Sequence, residues 1–163
     1  PPAAGQPVGE YEVKAAFLFN FTKFVEWPAE AFAGRDAPFR ICVVGRDPFD
    51  GALGAIVAGE RAAGRRLVAE HHARPEAAGG CQIVFFAGGD EADLLDRLPA
   101  AGARHRLVVG ESAALLRAGG HFRFRLAGER VRLSVNLRAL EAGRLRVSSR
   151  LLRLAEVEIP GRS

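Results

Sequence analysis

The 163-residue sequence has no methionine, one tryptophan, one tyrosine and two cysteines, and its two lysines leave arginine as nearly all of its basic charge. It also lacks a long apolar run. Residues 15–22 form the longest uncharged stretch of the phenylalanine-rich segment near the start, and they include Asn20 and Thr22. A membrane-spanning helix needs about 20 mostly apolar residues. The segment is therefore neither a membrane span nor a signal-peptide core, because charged residues interrupt it.

Sequence signatures of catalysis are missing too. The chain has no phosphate-binding P-loop, no G-x-G-x-x-G and no G-x-S-x-G. The stretch VVGRDPFDG follows a predicted strand and could present backbone amides to an anion, but it lacks dinucleotide-site spacing and is interpreted as a structural turn. We expect no catalytic residues and no cofactor. A hydrolase is the least favoured function class, since no nucleophile–base pair is visible.

Metal ligands are scarce as well. His71 and His72 are the only adjacent histidines, and neighbouring residues of a strand point to opposite faces. They are therefore not expected to share a metal ion. Two cysteines without those histidines are too few for a structural zinc site, so no metal site is predicted.

The charge pattern does not indicate nucleic-acid binding. The net charge is +4, but the arginines are scattered among acidic residues rather than forming a stripe with interleaved aromatics. A solvated basic surface is the favoured interpretation, and no nucleic-acid partner is expected.

Residues 1–9, PPAAGQPVG, are rich in proline, glycine and alanine and predict a disordered lead-in. Residues 10–159 have the length of a single domain. The lead-in and the absence of methionine suit a secreted protein whose signal peptide has been removed, and they suit a trimmed chain equally well.

The segment KAAFLFNFTKFVEWP predicts an amphipathic first helix. On a helical wheel its apolar arc includes Phe17, Phe21 and Phe24, which are predicted to face the core. Phe19 instead falls among the polar residues. A bulky aromatic there predicts an interface with a second protomer or a partner, and we expect Phe19 to be substantially exposed in an isolated protomer. The predicted interface set is Phe19, Asn20, Lys23 and Trp27.

The remaining pattern predicts an α/β fold. Apolar runs at RICVV, RRLVAEH, CQIVFF and HRLVV predict strands that alternate with helices, one of which begins at Pro48 and runs to about Ala58. HFRFRLAGERVRLSVNL alternates apolar and polar residues around a turn at Gly128, as in a hairpin. The tail LRVSSRLLRLAEVEI is predicted to start extended and become a helix. The predicted fold is a single-domain mixed sheet, parallel in its first half with a C-terminal antiparallel hairpin, and with helices on its faces.

Two stretches carry candidate anion ligands. The polar side of the hairpin and the RVSSR stretch combine guanidinium, amide and hydroxyl groups, which bind carboxylate or phosphate. A solvated surface is the favoured interpretation of the hairpin residues, with a docking or phosphate-binding surface as the alternative. The candidate set is Arg123, Arg125, Arg132, Asn136, Arg146, Ser148 and Ser149.

Cys42 and Cys81 lie in, or at the start of, predicted core strands. Two buried free thiols would pack as small apolar groups. A disulfide between neighbouring strands would instead require an oxidising compartment. The residues alone leave both alternatives open.

Four stretches taken together resemble the YfiR family of small periplasmic proteins: EYEVKAAFLFNFTKFVEWP, RICVVGRDPF, CQIVFF and VRLSVNL with AGRLRVSSRLLRLA. The resemblance runs from about Glu10 to Ala155 and implies one YfiR-like domain over residues 10–159. It implies a non-catalytic periplasmic protein, exported with removal of a signal peptide. Such a protein would form a homodimer and repress an inner-membrane diguanylate cyclase by binding its periplasmic sensor domain. Cyclic di-GMP and biofilm formation would then fall, and an OmpA-like outer-membrane lipoprotein could sequester the repressor.

The resemblance also bears on single residues. Cys42 and Cys81 stand where the best-understood member has cysteines, so a disulfide between them is favoured. That member's second cysteine pair is replaced here by Leu116 and Arg123, so no redox switch built on that pair is expected. Small-ligand contacts in the family fall on the segment of Arg146. This implies an alternative function, a sensor that binds a nucleotide such as GMP or an aromatic amino acid.

Overall fold

A computed structural model describes residues 9–100 and 105–158. Residues 1–8 of the predicted disordered lead-in lie outside the described residues. The first described element is helix α1, Glu10–Phe24, and Val25 after it is already extended. Proline at position 28 disfavours helical geometry in the residue before it, which suits the end of the helix here.

Within the described residues, eight strands form one sheet. They are β2 (Phe39–Gly45), β3 (Arg61–Ala62), β4 (Arg65–His72), β5 (Ile83–Ala87), β6 (Leu107–Gly110), β7 (Phe122–Ala127), β8 (Arg130–Val135) and β10 (Ala155–Val157). Their order is β10-β8-β7-β6-β5-β2-β4-β3. Two further short strands, β1 (Val25–Glu26) and β9 (Arg146–Val147), pair with each other apart from this sheet.

Neighbouring strands across the middle of the sheet are parallel: β4 with β2, β2 with β5, β5 with β6, and β6 with β7. Strands β7 and β8 form an antiparallel hairpin. The predicted α/β class, with a parallel first half and an antiparallel hairpin, is confirmed. The continuous apolar runs of β2 and β5 follow from this position, because central parallel strands are covered on both faces.

Short helices connect the strands: α2 (Ala52–Val57), α3 (Glu91–Asp96), α4 (Ala113–Arg117), α5 (Leu137–Ala142) and α6 (Ser149–Leu152). The main core lies on one face of the sheet, where α1 packs with α2, α5 and α6. A smaller core on the opposite face is formed with α3 and α4. Alternation within β2 serves both cores, since Ile41 and Val43 face the first and Cys42 and Val44 the second.

Two predicted boundaries are wrong. The helix expected from Pro48 begins at Ala52, because Asp50 and Gly51 take left-handed backbone angles of +50° and +84° that a helix cannot include. The tail does not end as a helix. It runs from β9 through α6 into β10, which pairs in parallel with β8.

The buried face of α1 is rotated from the predicted apolar arc. Phe21 is fully buried, but Phe17 and Phe24 are only half-buried, while Lys14 and Thr22 are buried. The wheel ranks residues by hydrophobicity and cannot recognise a lysine that is buried by its own ion pairs. Phe19 is half-buried against the main core, with Lys23 Nζ 4.5 Å above its ring. The prediction that Phe19 is substantially exposed is therefore wrong.

Within the described residues, no helix has the length and apolar character required to cross a membrane.

Candidate functional site

Cys42 in β2 and Cys81, just before β5, form a disulfide whose Cα atoms lie 6.1 Å apart. Both residues are buried on the side of the sheet that α3 and α4 cover. Cys81 lies outside the paired residues of β5, and its side chain reaches the face of the sheet on which Cys42 lies. The disulfide favoured by the family resemblance is confirmed, and the alternative of two free thiols is wrong.

Polar side chains of β4 stand beside this disulfide. Glu70 lies opposite Cys42 in the strand register, and its Oε1 is 3.9 Å from Cys42 Sγ. Arg40 donates to both carboxylate oxygens of Glu70, at 2.7 and 2.8 Å. His72 Nε2 lies 2.9 Å from Glu70 Oε1. The Arg40 guanidinium, helped by the His72 contact, lowers the pKa of Glu70 to about 2.

Sequence reasoning missed Glu70 and His72 as neighbours of the cysteines. Their separation of two residues places both on the same face of a strand, and that signal was available in RRLVAEH. The pairing of β4 with β2 could not be predicted from the sequence, since residues 42 and 70 are joined by a crossover connection rather than a tight turn.

The predicted interface set lies around the C-terminal end of α1. Lys23 is exposed, and Trp27 is half-buried with its Nε1 donating to the His105 carbonyl at 2.9 Å. A groove of about 570 Å³ opens beside Lys23, Glu26 and Trp27. A surface that places an aromatic side chain beside charged groups around a concave centre is typical of recognition, because tryptophan contributes strongly to binding.

The segment containing Arg146 adjoins this same surface. Arg146 pairs with Glu26 in the register of β1 and β9, and the Ser148 amide donates to the Phe24 carbonyl at 2.7 Å. Ser148 Oγ accepts from the Arg150 amide and caps α6, while Ser149 is exposed. Arg146 itself is exposed.

The other four candidate anion ligands belong to the hairpin, on the face opposite α1. Arg123 pairs with Glu158 at 2.6 Å, and Arg125 pairs with Glu156. These partners come from β10 and the residue after it, which lie beside β8. Burial works to raise the pKa of Glu158, but hydrogen bonds from Arg123 and Ser134 lower it on balance.

The hairpin face is less solvated than its alternation predicts. His121, Ser134 and Asn136 are buried, whereas Arg132 is exposed. Asn136 donates to the Leu116 carbonyl at 2.7 Å and its side chain accepts from the Ala139 amide at 3.1 Å. The predicted solvated face is therefore wrong at these three residues, because Asn136 contacts α4, His121 contacts Val108 of β6, and Ser134 lies against Arg125 and Glu158.

A buried lysine cluster was missed entirely. Lys14 on α1 is 2 % exposed and forms ion pairs with Glu10 and Glu111. Tyr11 donates to the same Glu111 carboxylate at 3.0 Å. Burial works to lower the pKa of Lys14, but the hydrogen bonds to the two carboxylates raise it on balance. The only sequence signal was Glu10 and Lys14 at helical spacing.

A model of the YfiR/HmsC-like family (DUF4154) matches residues 11–156, nearly the whole chain. The chain belongs to the YfiR/HmsC-like family. A comparison with curated proteins gives no significant match. YfiR/HmsC-like proteins are periplasmic and generally regulatory rather than catalytic. Membership is consistent with regulation of a diguanylate cyclase and with an interaction with its periplasmic domain.

For a YfiR/HmsC-like protein, the disulfide is compatible with the oxidising periplasm. The candidate residues divide into two groups. Those of the β1–β9 segment join the end of α1, and those of the hairpin lie on the opposite face of the sheet. The seven candidate anion ligands therefore lie at two separate locations rather than in one site. Anion binding by them stays a prediction.

Proposed function

We propose that this protein binds and represses the periplasmic sensor domain of an inner-membrane diguanylate cyclase, lowering cyclic di-GMP and biofilm formation. The observation that carries the proposal is the match to the YfiR/HmsC-like family over residues 11–156. The YfiR/HmsC-like family is generally non-catalytic, so we assign the protein a role through binding rather than chemistry.

The proposed docking surface is the end of α1 with the adjoining β1–β9 pair. Lys23 and Arg146 are exposed cations, and among the described residues neither has a salt-bridge partner. Phe19 and Trp27 add half-buried aromatic area beside them. A partner with acidic side chains around an apolar centre complements such a surface, because opposite charges steer the encounter and aromatic groups supply affinity.

The test is binding of the purified protein to the purified periplasmic domain of the cyclase. Lys23→Glu, alone and with Phe19→Ala, is expected to raise the Kd at least tenfold. Arg117→Glu is the matched control, since Arg117 is also an exposed cation but lies on α4, on the opposite face. Absence of binding by the wild type, together with unchanged cyclic di-GMP when the protein is deleted, would overturn the proposal.

The groove beside Trp27 favours a second candidate function, a sensor of a nucleotide such as GMP or of an aromatic amino acid. Its volume of about 570 Å³ suits a small ligand. A thermal-shift series with GMP and tryptophan tests this function, because a ligand at 100 times its Kd stabilises the fold by about 2.7 kcal/mol. No shift at millimolar ligand contradicts it without affecting the docking test.

Homodimer formation and sequestration by an OmpA-like outer-membrane lipoprotein are further parts of the proposal. Light scattering of the purified protein measures the first. Competition between the lipoprotein and the cyclase domain for the protein measures the second, and independent binding of both would contradict it.

A further inference from the structure

Four potential metal-binding atoms, two of them the disulfide sulfurs, lie close together. They all lie within 4.8 Å of one another. This four-donor cluster consists of the sulfurs of Cys42 and Cys81, a carboxylate oxygen of Glu70 and an imidazole nitrogen of His72.

The sheet itself builds the cluster. Cys42 lies opposite Glu70, and Val44 lies opposite His72, in the parallel register of β2 and β4. Residues two apart on a strand share a face, so both β4 side chains point to the side of the sheet that carries the disulfide. Cys81 reaches the same point from the residues just before β5. The paired strands β2 and β4 therefore position three of the four donors.

The donor set matches zinc. Two thiolates, one imidazole and one carboxylate are ligands that tetrahedral zinc accepts, with Zn–S of about 2.3 Å and Zn–N of about 2.0 Å. A tetrahedron of these bond lengths has donor–donor edges of about 3.3–3.8 Å. Cys42 Sγ lies 3.9 Å from Glu70 Oε1, close to those edges, whereas His72 Nε2 lies 2.9 Å from the same oxygen and would move away by about 0.4 Å on binding zinc. Hard ions such as Mg²⁺ and Ca²⁺ prefer oxygen ligands, so the sulfurs disfavour them.

Charge balance also favours a divalent ion. Two thiolates and the Glu70 carboxylate carry three negative charges, and a zinc ion with the Arg40 guanidinium carries three positive charges. Arg40 already donates to Glu70 and to the Gly79 carbonyl, at 3.1 Å for the latter. It is placed to orient the carboxylate from behind, as outer-shell partners of metal ligands do.

We propose that the reduced protein binds one zinc ion at the four-donor cluster, so that the disulfide and the metal are alternative states of the same two sulfurs. Reduction transfers two electrons and two protons from a dithiol to the disulfide, giving two thiols while the dithiol becomes a disulfide. Zinc then displaces both thiol protons to solvent. Exchange with a small-molecule disulfide reverses the process: the two thiolates give two electrons to that disulfide and form the S–S bond, the small molecule takes two protons from solvent to become two thiols, and zinc is released.

Binding to the full chain tests the proposal, with zinc measured by competition against a chromophoric chelator. The reduced protein is expected to bind one zinc ion per chain, and the oxidised protein none under the same conditions. Cobalt(II) in place of zinc should give thiolate-to-metal absorption only after reduction. The same zinc stoichiometry in both redox forms, or none in the reduced form, would overturn the proposal.

Two variants distinguish a specific zinc site from adventitious binding. His72→Gln is expected to weaken zinc binding at least tenfold. The matched control is His71→Gln, since His71 is the adjacent histidine and contacts the Gly45 carbonyl rather than the cluster. Equal affinities of the two variants would contradict the assignment. If the reduced chain needs metal to fold, zinc should restore its circular dichroism in the His71→Gln variant and not in the His72→Gln variant, with the opposite result counting against the site.

Discussion

His121 gives this protein a stability that depends on pH. The ring is 8 % exposed, and its Nδ1 accepts a hydrogen bond from the Val108 amide at 2.9 Å. Protonation would remove this acceptor and place a charge in a buried site near Arg106. Burial, with a smaller effect of Arg106, lowers the pKa of His121 to about 4 from an ordinary value of 6.5.

The direction follows from proton binding. Between about pH 6.5 and pH 4 the unfolded chain carries a proton on His121 that the folded chain does not, so the free energy of unfolding falls as the pH falls through this window. Below pH 4 both states are protonated and the loss is complete, at about 3 kcal/mol. From pH 7 to pH 5 the expected loss is about 2 kcal/mol, with most carboxylates still ionised.

Urea unfolding at pH 7 and pH 5 measures this loss. His121→Asn is the informative variant, because an amide oxygen can accept the Val108 hydrogen bond but does not titrate. The variant is expected to lose about 2 kcal/mol less than the wild type between the two pH values. Equal losses in both proteins would show that His121 does not cause the pH dependence. A titration of His121 by NMR, with a pKa near 6.5 in the folded state, would refute it independently.

Three further perturbations test the packing. Replacing Cys42 and Cys81 with alanine removes a cross-link between residues 39 positions apart and should lower the free energy of unfolding, measured by urea denaturation, by about 4 kcal/mol. A loss below about 1 kcal/mol would contradict this. Lys14→Met leaves two carboxylates without their buried cation and should cost about 3 kcal/mol, whereas the exposed Lys23→Met should change stability by less than about 0.5 kcal/mol; similar effects of the two would count against the buried cluster. Asn136→Ala removes a helix cap and the buried side-chain hydrogen bond to the Leu116 carbonyl, which keeps only the Gly119 amide as donor, so a melting curve should show a loss of about 2 kcal/mol; an unchanged Tm would argue otherwise.

Local patterns predicted the elements well where each residue's role depends on its near neighbours. The apolar runs of β2 and β5 and the alternation of β7 and β8 lie where sequence reasoning placed strands. These features follow from the periodicity of side chains along a strand.

The failures have a common cause. The tail is predicted to end as a helix, but its last described residues form β10 because β8 offers an otherwise unpaired edge. Edge pairing is a contact between segments 20 or so residues apart, and no local preference reports it. Lys14 was assigned to no core position for the same reason, since its burial depends on Glu111 from another element.

The fold class, the family and the strand positions of both cysteines could be predicted from the sequence, because they depend on periodicity and on motifs read along the chain. The residues that surround the cysteines depend on how distant segments pack. The parallel register of β2 and β4 brought Glu70 and His72 beside the disulfide, and the β1–β9 pair brought Arg146 to the end of α1. Both are contacts between distant segments, and their geometry follows from the packing of the whole domain rather than from any single stretch.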